Sequence, residues 1–340
     1  MALTIQDVVD RKEWDDFVTS HMEANFLHSW QWGEFHKSRN KTVVRRGVYD
    51  GERLIGVYEG DVETARRGTY MSVAGGPIVD WSNTKAVRLI RDDMLTEGKK
   101  HHCVFVRVRP QLERSDKSTK LFKDLGFKLA PMYLSVEHAG ILDLEKSEED
   151  ILKGMRQRLR RALRKAEKNN ITVETSTNPD DMAEFYRIQL ATAGRHKFVA
   201  FSETFLRKQF TAFAETGSVV LYTARHEGEI LAQNFIIFYG NEASYHYGVS
   251  TELGTRLSGA PLLHMQAMRD ARERGIKRYN FWGIVDEEDT KHRFYGVSVF
   301  KRGFGVDELK HVPAHDLVIQ PSRYKLNWLV ESTRRKIRKV

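Results

Sequence analysis

Turn, strand and glycine positions recur in this chain at one constant distance. The turn Asp50-Gly51-Glu52 is matched by Glu227-Gly228-Glu229, Leu54 by Leu231 and Tyr70 by Tyr247. Gly98 is matched by Gly275 and Gly126-Phe127 by Gly303-Phe304, and every pair is 177 positions apart. That period is too long for a solenoid and long enough for a domain, so the chain is expected to build one fold twice in tandem. Within each copy the order is hairpin, strand, helix, strand, short helix or turn, strand. That order predicts an α/β (α+β) domain with a mixed sheet. In a chain of 340 residues each copy can bury its own core.

In the first copy, residues 26–37 (FLHSWQWGEFHK) read as a loop entering a short aromatic helix. A hairpin over 43–59 turns at Asp50-Gly51, and Gly75-Gly76-Pro77 is a turn between extended pieces. Helical periodicity over 84–97 is expected to stop at Gly98, followed by a strand over 103–108 and a short helix closing on Leu125-Gly126-Phe127. In the second copy a helix ends near Gly194 with Arg195 beside it. Strands are expected over 219–224 and 230–239 and at Ser244-Tyr245-His246-Tyr247-Gly248. A helix runs through Ala271 with Pro261 in its first turn. The expected domains are 1–146, completed by a C-terminal helix over 318–340, and 147–317.

Charge is concentrated in two places. Residues 153–168 hold eight Lys or Arg and only Glu167, and residues 334–339 hold five more with no acid, in a chain of net charge +9. The first cluster lies on an expected helix that starts at Ser147 and runs to about Asn169. Leu152, Met155, Leu159, Ala162, Leu163 and Ala166 form its apolar stripe. Arg156, Arg160, Arg161, Arg164 and Lys165 lie largely off that stripe and lack acidic partners nearby in sequence, which leaves either a solvated charged face or the footprint of a phosphate-rich partner. One cysteine, Cys103, excludes a disulfide framework and points to a reducing compartment. The opening residues MALTIQDVVDRK lack the apolar core of a signal peptide, so a cytoplasmic protein is expected.

No Walker loop, HExxH, paired-cysteine zinc spacing or GxSxG elbow is present. His101, His102 and His264 stand outside metal-ligand spacing and read as surface or core histidines. What remains is the stretch 278–305. It opens with a strand-like run, Tyr279 to Trp282, ends at Gly283, and closes on Phe300-Lys301-Arg302-Gly303-Phe304-Gly305. A lysine among aromatic residues and glycines can aim one cation at a closely approached site, or it can be a strand-edge lysine with its head in water.

The tandem plan, GGPIVDW (75–81), the Gly194-Arg195 pair, NFWGI (280–284) and FKRGFG (300–305) together resemble the Fem family of aminoacyl-tRNA-dependent peptidoglycan transferases. The resemblance implies two GNAT-like acyltransferase domains, with the C-terminal helix packing back on the first. It implies transfer of an amino acid from aminoacyl-tRNA to a stem-peptide amine of a UDP-linked or lipid-linked muropeptide, with the inner membrane surface as a further partner. Neither cofactor nor metal is implied. Lys37 and Arg195 would hold the diphosphate, and Tyr247, or Tyr245 in its stead, would line the same groove. Trp32 counts among the substrate-binding residues. Phe300 and Lys301 would stand at the aminoacyl ester, and the basic helix would meet the tRNA. Larger members carry a helical coiled-coil arm, and this chain is similar to the short branch without it. Where members often have an acid before the proline of the first-domain strand, this chain has Arg107-Val108-Arg109-Pro110. Two other readings stay open. An acyl-CoA enzyme would use Arg256-Leu257-Ser258-Gly259-Ala260-Pro261, although Pro261 removes one N–H from that loop. A non-catalytic RNA-binding protein would use the basic elements alone.

Overall fold

The computed structural model describes residues 2–196 and 199–338, the side chains of 195, 196, 336 and 338 excepted. The chain divides into two compact units, residues 1–137 with 309–340, and residues 138–308.

The first unit is a mixed sheet whose strands run in the order Leu3–Asp7, Thr42–Asp50, Arg53–Ala65, Gly68–Gly75, Cys103–Pro110, His315–Val318, Lys128–Leu129. Among these pairs only Gly68–Gly75 and Cys103–Pro110 are parallel, and the helix Thr84–Lys100 connects them, as a parallel crossover requires. That helix starts where the Asn83 side chain accepts from the Ala86 N–H. It turns Val87, Ile90 and Met94 onto Val73, Val106 and Val108 of the sheet.

The second unit repeats the arrangement. Its six strands that lie wholly inside the unit run His138–Asp143, Arg278–Gly283, Glu242–Ser250, Glu229–Tyr239, Val219–His226, Thr172–Ser176. The single parallel pair among them, Glu242–Ser250 with Arg278–Gly283, is joined through the helix Gly259–Glu273. Leu263, Ala267, Met268 and Ala271 of that helix lie on Tyr222, Leu231, Ile236 and Phe281.

Two mixed sheets built on one plan bear out the expected fold class, while the boundaries move. Strand His138–Asp143, expected in the first domain, pairs with Arg278–Gly283 in the second unit. Strand His315–Val318, expected largely in the second domain, pairs with Cys103–Pro110 in the first. The pairing sets Asp316 opposite Arg107, at 2.7 and 2.9 Å, with Tyr324 and Glu331 of the helix Pro321–Arg338 completing the cluster. Strand partners are chosen by such cross-strand contacts, which linear order does not reveal.

The constant spacing of 177 holds at the hairpins, where Gly51 and Gly228 both take left-handed backbone (φ 64° and 84°), and drifts afterwards. Gly98 does not end its helix. It lies inside Thr84–Lys100, where a Cβ would stand 2.4 Å from Ile319 Cδ1, so the glycine serves close packing and the left-handed stop falls at His102. Gly275 does follow its helix, at φ 74°. The expected single helix from Ser147 to Asn169 is broken into Glu148–Gly154 and Gln157–Lys168, with Met155 and Arg156 extended between them.

Candidate active site

Two slips of register open the second sheet at its centre. The parallel strands are paired only from Glu242 to Ser244 against Arg278 to Asn280, and beyond that point no parallel register is kept. On the outer side of one, His246 is an extra residue between Tyr245 and Tyr247, which oppose Ile236 and Phe235. On the outer side of the other, the register also slips between Asn280 and Gly283. Bulges add twist and re-aim side chains. Trp282 is held at φ 64°, an uncommon conformation for a bulky residue, with its N–H on Asn280 Oδ1 at 2.7 Å.

Lys301 reaches this point from the helix Tyr295–Arg302, and its Nζ donates to the Gly283 carbonyl at 2.7 Å. The same helix is tied to the strand end twice more. Ser298 Oγ accepts from the Val285 N–H at 3.0 Å, and Arg302 Nη2 donates to the Val285 carbonyl at 2.7 Å. Lys301 is therefore neither on a strand edge nor in water, being only 6% exposed. Its Nζ stands 5.6 Å from the Tyr245 ring centre. The His264 ring lies beside it among Tyr245, Phe281, Phe300 and Phe304, with centroids 4.6 to 5.6 Å away.

Among the described residues no carboxylate pairs with Lys301, and burial brings its ammonium down to about 7. Burial, and then the Lys301 charge, bring His264 down to about 3, so it is a neutral imidazole with Nδ1 2.9 Å from the Tyr279 hydroxyl. The lysine has three N–H groups and spends one on Gly283. The others can meet an oxyanion forming beside it, and the neutral amine can take a proton near pH 7. Phe300 has no proton chemistry; its ring packs on His264 and Phe304.

The bulge at His246 separates two tyrosines that sequence spacing would place on one face. Tyr245 turns to Lys301, and Tyr247 turns to Phe201 and Phe235, at 5.1 and 5.7 Å. Gly248 makes room for Tyr245, because a Cβ there would stand 1.8 Å from the tyrosine hydroxyl. No local sequence pattern makes Tyr245, His264 and Gly283 partners of Lys301. The aromatic run 244–248 is the one local signal that points to Tyr245.

Lys37 stands in the first unit on the helix Trp30–Ser38. It is the outward end of a charged chain in which Lys37 meets Glu34 at 2.9 Å, Glu34 meets Arg45 at 3.0 Å and Arg45 meets Glu59 at 2.6 Å. Trp32 lies on a different face of that helix, against Phe26, Phe35 and His36. His36, Asp61 and Glu63 come within 4.8 Å of one another, but Lys41 already pairs with Glu63. Arg107 and Arg109 are buried and bonded, Arg107 to Asp316 and Glu331, Arg109 to Ser135 and Gln111. The Arg195 backbone belongs to the helix Met182–His196, and its side chain lies outside the described residues.

The basic helix Gln157–Lys168 buries Leu159, Leu163 and Ala166 and leaves Arg161, Arg164 and Lys165 exposed. Three of its six cations meet carbonyls: Arg160 donates to Lys153 O, Arg164 to Arg160 O and Lys165 to Arg256 O. Arg156 departs from the expectation of an unpaired face, standing 3.5 Å from Glu287.

Two mixed sheets, each with one parallel pair and made on one plan, with a buried lysine where the second pair parts, define a tandem GNAT-like fold. A family model, the FemAB family, matches residues 9–227 and 220–332, and the chain belongs to that family. Among curated proteins it is 22% identical to a lipid II:glycine glycyltransferase of Staphylococcus aureus (strain USA300), over an alignment of 399 residues covering 94% of each chain. The alignment is longer than this chain, so the relative carries residues that this chain lacks. Among solved structures, FemX superposes with a TM-score of 0.85 at 20% identity, covering 96% of this chain and 99% of the other. The C-terminal domain of a putative lysylphosphatidylglycerol synthetase from Agrobacterium fabrum follows the same fold at a TM-score of 0.58 and 16% identity, covering 94% and 95%.

Proposed function

We propose that this chain is an aminoacyltransferase that moves an amino acid from its ester on a tRNA to the stem-peptide amine of a lipid-linked or nucleotide-linked muropeptide. The observation that carries the reading is Lys301, a buried cation with no carboxylate partner among the described residues, donating to Gly283 where the parallel strands part. The curated relative's name, a glycyltransferase acting on lipid II, supports the acceptor class.

The chemistry balances without a cofactor. The neutral acceptor amine attacks the ester carbonyl, forming the C–N bond and a tetrahedral oxyanion. Lys301 donates to that oxygen from a buried position beside the Tyr245 ring, where a hydrogen bond is stronger than in water. Collapse breaks the C–O bond to the tRNA sugar, and the proton lost by the amine goes to the departing hydroxyl. Lys37, paired with Glu34 at the surface, is proposed as a cation for the acceptor's diphosphate, and Arg195, Tyr247 and Trp32 keep their substrate-binding roles as proposals. The exposed cations Arg156, Arg161, Arg164 and Lys165, with the half-buried Arg160, are proposed to meet the phosphates of the tRNA.

An acyl-CoA donor is less well supported. The helix Gly259–Glu273 lacks one N–H in its first turn at Pro261, and Lys165 already holds the carbonyl of Arg256 just before it. The deciding measurement is transfer of a radiolabelled amino acid to a muropeptide, with and without ribonuclease treatment of the charged tRNA. Transfer should be lost on digestion. Transfer that survives digestion, or that needs coenzyme A, overturns the reading.

A further inference from the structure

The helix Pro321–Arg338 is attached to the first unit along one side only. Tyr324 donates to Asp316 at 3.0 Å, Asn327 accepts from Arg67 at 3.0 Å and Glu331 accepts from Arg107 at 2.9 Å. These three, one helical turn apart, define an inward face that is polar and satisfied. The outward face is the reverse of what a solvated helix shows. Leu326 and Leu329 are each 60% exposed and Ile337 is 75% exposed, and these residues fall on one stripe at helical spacing. Thr333, on the same stripe, turns its hydroxyl back to the Leu329 carbonyl at 2.9 Å. Exposed cations border the stripe on both sides, Lys325 on one and Arg323 and Arg334 on the other. No described helix is long and apolar enough to cross a membrane, so this one can lie on a bilayer and not through it.

We propose that the outward face of Pro321–Arg338 is a docking surface for a bilayer containing anionic lipid. Leucine and isoleucine side chains in a row have apolar chains as their complement, and cations along both borders have lipid phosphates as theirs. A nucleic acid satisfies the cations and leaves the stripe in water, so the apolar row selects lipid over RNA. The inference is independent of the proposed reaction, because docking is measured without either substrate.

The full-length protein is mixed with vesicles of phosphatidylcholine alone or with phosphatidylglycerol added, and bound protein is separated by flotation. Binding is expected to require phosphatidylglycerol and to weaken with salt. The pair Leu326→Ser and Leu329→Ser should weaken it at least tenfold, with melting temperature and sedimentation coefficient unchanged. The set Arg323→Gln, Lys325→Gln and Arg334→Gln should abolish the preference for phosphatidylglycerol. Unchanged binding in the leucine pair overturns the proposal, as does equal binding to neutral and anionic vesicles. A leucine pair that alters the sedimentation coefficient would assign the face to a second copy of the chain, and one that weakens tRNA binding instead would assign it to RNA.

Discussion

Lys301 joins two properties that usually exclude each other, a cation's function and an apolar surrounding. Its burial raises the energy of the charged form, so Lys301→Met should lower transfer by about 10²–10³, as loss of an oxyanion donor does. The fold should survive, because the substitution removes a buried charge and leaves no partner carboxylate behind. Single-turnover rates with a melting curve check both, and near-normal turnover would make Lys301 structural. The low proton affinity of the buried amine also has a pH signature. Lys301 titrates at about 7 in the folded protein against an ordinary 10.5. Between those values the unfolded chain binds more protons, so stability rises as pH climbs from about 7 to about 10.5, by about 1.4 kcal/mol per pH unit. Denaturant titrations across that range should show the rise in the parent protein and not in Lys301→Met. FKRGFG pointed to this residue, but its burial, its helix and its Gly283 partner come from tertiary packing.

At the scale of elements, the basic helix Gln157–Lys168 and the bulged strand Glu242–Ser250 were legible to different degrees. A 3.6-residue period with charge on one face is a local property, so the helix could be read from sequence. The break at Met155-Arg156 could not, because there the Arg156 N–H leaves the helical ladder for the Gly303 carbonyl at 2.8 Å, far away in sequence. Replacing Arg160, Arg161 and Arg164 with Ala should raise the KM for aminoacyl-tRNA. It should also flatten the salt dependence, by roughly 0.7–0.9 in log–log slope for each phosphate left without its cation. A short aminoacylated acceptor-stem mimic should be used equally well by the variant and its parent. Steady-state kinetics at several salt concentrations give both results, and an unaltered slope would remove the helix from the tRNA path. The strand is the opposite case. Alternation puts Tyr245 and Tyr247 on one face, and one extra residue at His246 divides them.

For the whole molecule, the C-terminal segment decides whether the first unit is complete. His315–Val318 lies between Cys103–Pro110 and Lys128–Leu129, so removing residues 309–340 takes a strand from the sheet and should leave the chain unfolded in that half. Circular dichroism and proteolysis of the truncated chain check this. Asp316→Ala is the milder version. It leaves Arg107 with Glu331 alone in a buried place and should cost about 3–5 kcal/mol by denaturant titration. What the sequence determined by itself was the duplicated α/β plan, the amphipathic helices and the FKRGFG end, because periodicity, turn glycines and charge runs act over a few neighbouring residues. Only the tertiary structure decided that strand His138–Asp143 joins the second sheet and His315–Val318 the first, and that two bulges part the strands beside Lys301. Strand partners and bulges are set by contacts between residues far apart along the chain, and no local pattern carries them.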